Sequence, residues 1–121
     1  VLRLLEYPYI IRSGRILVPG GSKDLPRNVG LIISLERDEA RLTLLTNLEV
    51  TPQDAVRLLR LNLDSEEYCY AADPEGYLAI ILRKPVLTIL DAERLRQTIK
   101  TLVNAVPSLG REGHANTSNS G

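Results

Sequence analysis

Phenylalanine, tryptophan and methionine are missing from this chain, and tyrosine supplies all five of its aromatic side chains. Any core must therefore be aliphatic, filled by Leu, Ile and Val. There is one cysteine, Cys69, so no disulfide framework can form within the chain, and a reducing, cytoplasmic compartment is expected. Cys69 sits between Tyr68 and Tyr70 in a strand-like run with no His or cationic neighbour in sequence, and reads as a structural thiol. The single histidine, His114, has no companion ligands, so neither a metal nor another cofactor is expected. Excess charge is also missing: 15 Lys and Arg balance 15 Asp and Glu. A nucleic-acid partner is not expected, because neutralising phosphates needs a basic face.

No apolar run approaches the ~20 residues that span a bilayer, and no signal peptide is visible, so no membrane partner is expected. With no Met and with Val1 at its head, the chain does not read as the start of an open reading frame. Residues Val1 to Glu6 read as the end of a truncated helix.

What is present is organised around Leu48 to Arg83. Thr51-Pro52-Gln53-Asp54 is a helix start: Thr51 accepts from a free first-turn N–H, Pro52 misses no donor, and Asp54 faces the positive helix end. The helix runs to about Asp64. Gln53, Arg57, Arg60 and Asp64 form a narrow polar stripe, and aliphatic residues cover a wide arc opposite. A surface helix needs a stripe of only ~100°. Val56, Leu59 and Leu63 are therefore assigned to the intrachain core, and Leu58 and Leu61 to an interface.

A hairpin follows, turning at Asp73-Pro74-Glu75-Gly76, a type I signature. In its second strand Tyr77, Ala79 and Ile81 alternate with Leu78, Ile80 and Leu82, so both faces are apolar. Such a strand is covered on both sides, and Ala79 and Ile81 join the expected dimer or partner interface.

Strands are also expected at Tyr9–Arg12, Arg15–Val18, Val29–Glu36 and Arg41–Val50, with Val29, Leu31, Ile33 and Leu35 on one face. Gly20-Gly21-Ser22-Lys23 lacks phosphate-loop spacing and reads as a turn. Glu36 to Arg41 reads as a solvated hairpin tip. The last helix is capped by Thr88 or Asp91, and Leu95, Ile99, Leu102 and Val106 form its inner face, with Glu93, Arg96, Gln97 and Lys100 outside. Residues 110–121 are small and polar and read as a flexible tail. Asn116-Thr117-Ser118 matches a glycosylation acceptor, but nothing indicates secretion.

The expected architecture is α+β: an antiparallel sheet of about five strands, ordered βββ-α-ββ-α, within one domain over residues 1–109. Three features carry a family resemblance: Leu42 to Val50 running into Thr51-Pro52, the Tyr68–Leu82 hairpin with its Gly turn, and the Asp91–Leu109 helix closing on Pro-Ser-Leu. In this order of elements the chain resembles the YbjN family, whose fold is that of the small dimeric chaperones of type III secretion. The family's full N-terminal helix is not expected here, or only its last turn is. The resemblance implies a bacterial, non-catalytic homodimer that binds segments of other proteins. The alternative is a profilin-like small-ligand sensor with a pocket between sheet and helix, lined by Tyr7, Tyr9 or Tyr77. Catalysis is not expected: the lone His is in the tail, the lone Cys is in a strand, and the acids lie at turns and helix starts.

Overall fold

The computed structural model describes residues 7–22 and 24–107. The expected truncated helix at Val1 to Glu6, the polar tail and His114 lie outside the described residues.

Period-two alternation builds the strands. They are β1 (Ile10–Arg12), β2 (Arg15–Val18), β3 (Val29–Glu36), β4 (Glu39–Glu49), β5 (Tyr68–Ala72) and β6 (Tyr77–Pro85). They form one six-stranded antiparallel sheet in the order β1-β2-β3-β4-β6-β5. The helices are α1 (Pro52–Asp64), α2 (Leu87–Leu90) and α3 (Ala92–Asn104). The fold is thus α+β with an antiparallel sheet, as the sequence pattern requires.

One face of the sheet carries the core. Val18, Leu31, Ile33, Leu42, Leu44, Leu78, Ile80 and Leu82 are buried there against Leu95, Ile99 and Leu102 of α3. The core is aliphatic apart from Tyr7, with Tyr9, Tyr68 and Tyr70 at its margin. Leu35, expected on this face, is exposed at the hairpin end of β3.

The turns follow from their residues. Asp73 Oδ1 accepts from the N–H groups of Glu75 and Tyr77, and Gly76 takes φ of 90°, which suits a residue without Cβ. A Cβ on Gly20 would fall 2.1 Å from the Val29 carbonyl oxygen, so the loop closes only over glycine. The next amide, that of Gly21, donates to the Leu25 carbonyl at 2.9 Å, so it is engaged within the loop rather than open to a phosphate. Both α1 and α3 are capped by side chains. Asp54 N–H donates to Thr51 Oγ1 and Thr51 N–H donates to Asp54 Oδ2. Asp91, not Thr88, caps α3, accepting from Glu93 and Arg94; Thr88 is buried in the short α2.

Arg96, expected on the outer face of α3, turns inward to Asp24, with 3.8 Å between Nε and Oδ2. The Tyr7 hydroxyl donates to the same carboxylate oxygen at 2.6 Å. This cluster fastens the loop after β2 to α3. Burial, reinforced by the Asp24 hydrogen bond and charge, pushes the Tyr7 hydroxyl up to about 12. The pKa is raised above the ~10 of an unfolded chain. Its contribution is therefore complete below pH ~10 and lost as pH rises through the folded value. Between pH 9 and 11.5 the melting temperature of Tyr7→Phe should fall less than that of the wild type. Equal falls would show that Tyr7 titrates alike in both states.

Candidate functional site: the open face of the sheet

The register assigns every strand residue to one of two faces. Opposite the core face, a row crosses all six strands: Ile10, Leu17, Ile32, Thr43, Ile81 and Cys69, each paired with the next. The adjacent row is Gly30, Leu45, Ala79 and Ala71. Among the described residues no helix covers these rows. Their members are half-buried by their neighbours in the sheet, apart from exposed Ile10 and the small, buried Ala79. Ala79 and Ile81 thus lie together on this open face.

Helix α1 extends the surface. It does not lie across the sheet but runs along the outer edge of β5. Asn62 fixes it there: its Oδ1 accepts from Tyr70 N–H at 2.7 Å and its Nδ2 donates to Tyr70 C=O at 3.0 Å. One turn on, Ser65 Oγ donates to the Tyr68 carbonyl at 2.8 Å. The side chains that point inward are consequently Ala55, Leu58 and Asn62.

This corrects the assignment of Val56, Leu59 and Leu63 to the core. They are exposed at 51%, 66% and 85%, whereas Leu58, expected at an interface, is 5% exposed within the chain's own core. The apolar arc of α1 is too wide to reveal its own centre, and the polar Asn62 sets it.

At 100° per residue, Leu61 falls to one side of the Leu58–Asn62 line and Leu59 and Leu63 to the other. Leu61, 40% exposed, lines a surface depression with Tyr68 and Tyr70, whose rings belong to the core face. Leu59 and Leu63 therefore flank the open face, where Leu59 shares a cleft with Ala71. Through Leu59 and Ala71 the exposed side of α1 meets the open face of the sheet, where Ala71 pairs with Ala79.

That cleft, between α1 and β5, is lined by Val50, Ala55, Leu58, Leu59 and Tyr70 to Ala72 and holds about 160 Å³. Small-molecule sites usually hold ~300–1,000 Å³. It does not include Tyr7, Tyr9 or Tyr77. Among the described residues no group of three His, Cys, Asp or Glu could hold a metal, and no helix is long and apolar enough to cross a membrane. Comparison with protein-family models, with curated proteins and with solved structures found no match.

Beside the apolar rows lies a feature hidden in the sequence. Arg12 pairs with Arg15, Arg15 with Ser34, Ser34 with Arg41, and Arg41 with Arg83. Four arginines from four strands thus share one row of the open face. Arg12 and Arg15 flank the turn at Ser13-Gly14, but Arg41 and Arg83 lie far along the chain, and only the register brings all four together.

Proposed function

We propose that this is a non-catalytic, chaperone-like protein-binding domain, a cytoplasmic homodimer that holds segments of other proteins. The observation that carries the reading is an aliphatic surface that runs from exposed Leu59 of α1 past Ala71 to the open sheet face at Ala79 and Ile81. Single exposed aliphatic residues are ordinary, but apolar patches of a few hundred Å² and more mark partner sites. The half-buried, free Cys69 accords with a reducing compartment. The element order accords with a YbjN-like, type III secretion chaperone-like role.

Light scattering coupled to size-exclusion chromatography tests the reading. The chain mass is 13.4 kDa, and at tens of micromolar the expected particle is twice that. A monomer across that range would remove the homodimer. Leu61→Glu separates the two flanks of α1: a dimer formed on the open-face flank survives it, and one formed on the core-face flank does not.

A further inference from the structure

We propose that the open sheet face binds an acidic, aliphatic segment of another protein, with carboxylates on the row of Arg12, Arg15, Arg41 and Arg83 and aliphatic side chains on the adjoining apolar rows. The proposal rests on the protein-binding reading and names the chemistry of the partner.

Two observations carry it. The first is the cost of the row in the free protein. Like charges directly opposite one another on a sheet destabilise it. Arg12 faces Arg15, and Arg41 faces Arg83. Among the described residues none of the four has an ion pair. Glu36 and Glu39 oppose each other one row further along, at the hairpin tip, and make no bond to the arginines. The Nε of Arg41 is enclosed by protein without an acceptor. An external carboxylate, which accepts two N–H bonds from one guanidinium, would offset the like-charge penalty, while the enclosed Nε of Arg41 stays out of its reach.

The second observation is the geometry. The row runs across the strands, parallel to the apolar row of Leu17, Ile32 and Ile81. Adjacent strands lie ~4.8 Å apart. Acidic side chains three or four positions apart on a helix are ~5–6 Å apart, so one flank of an amphipathic segment can meet the arginines while the other covers the aliphatic row. The arginine row spans four strand spacings, ~19 Å, the length of about 13 helical residues.

The probe is a fluorescein-labelled Leu–Glu peptide of about that length with amphipathic helical spacing, compared with Leu–Gln and Leu–Lys versions. Fluorescence anisotropy on the full chain is expected to give at least tenfold tighter binding of the Leu–Glu peptide, with the preference shrinking as salt rises. The triple variant R15Q/R41Q/R83Q should lose at least tenfold for Leu–Glu and little for Leu–Gln. R15E/R41E/R83E should prefer Leu–Lys. Circular dichroism checks each fold, and R41Q alone, which removes one like-charge contact, should melt no lower than the wild type and show a smaller loss of the same sign.

Equal binding of the Leu–Glu and Leu–Gln peptides overturns the proposal. So does co-sedimentation with phosphatidylglycerol vesicles when no peptide binds. Conversion from dimer to monomer by the arginine variants would place a second copy over the arginine row itself, beyond the α1 flank that Leu59→Glu probes, and also overturns it. If the wild type is a dimer that does not discriminate the peptides, this inference alone fails. A wild-type monomer that binds none of them removes the protein-binding reading as well.

Discussion

Leu58→Ala is expected to remove a large part of the stability of this domain, whereas its neighbour Leu59→Glu is expected to leave the fold intact and dissociate the proposed homodimer. Leu58 is the only buried residue of α1 and joins the aliphatic core. Truncating a buried leucine costs ~2–5 kcal/mol, against a total of ~5–15 kcal/mol for a typical domain. A melting temperature lower by ~10 °C or more follows. Leu59 is 66% exposed, so a carboxylate there meets water in the monomer and changes stability little. At an apolar interface the same carboxylate would be stripped of water without a counter-charge. Light scattering should then read a monomer that melts within a few degrees of the wild type. If Leu59→Glu unfolds the chain, α1 packs on its other flank and the surface proposed for the partner does not exist. If it folds and stays dimeric, the dimer uses a different surface.

The contrast between these neighbours marks the limit of what the sequence could tell. The start of α1 was legible because a Thr-Pro-x-Asp cap is a local device, complete within four residues. The hairpin turn was legible for the same reason, and so was the inner face of α3, where Leu95, Ile99 and Leu102 alternate with polar residues. The cap choice between Thr88 and Asp91 was open because a short extra helix, α2, places Thr88 in the core. The orientation of α1 was not legible: hydrophobic periodicity points to the middle of the apolar arc, but the helix is anchored by Asn62 to a strand edge that forms eight residues later. The arginine row was hidden for a stronger reason. Its members come from four strands, and sequence spacing says nothing about which residues a six-stranded register sets side by side. Ala79 and Ile81 could be placed on the second face because alternation along one strand is local. That this face is left open by α3 is a property of the whole sheet.

Asn62→Ala should open the edge of β5. In the order of the sheet β5 is an outermost strand, and an outermost strand presents unpaired backbone groups that recruit other chains. Asn62 meets this hazard as a further strand would, accepting from Tyr70 N–H and donating to Tyr70 C=O with one amide. Alanine cannot replace either bond. Each lost hydrogen bond is worth ~0.5–1.5 kcal/mol, and more where the backbone group stays out of water, so a loss of ~2–3 kcal/mol is expected in chemical denaturation. Ser65 still holds Tyr68, and Leu58 still anchors the helix, so α1 should loosen rather than detach. Two measurements separate the edge from simple destabilisation. Hydrogen exchange at the Tyr70 amide should accelerate far more than at amides of β4, which lies between β3 and β6. Concentration-dependent association should also appear under conditions where Leu58→Ala, matched for stability by temperature, gives less. Asn62→Asp keeps the acceptor and loses the donor, and should fall between the wild type and Asn62→Ala. Stability unchanged within ~0.5 kcal/mol in Asn62→Ala, the ordinary range for an inconsequential surface substitution, would mean that packing of Leu58 alone places α1 against β5.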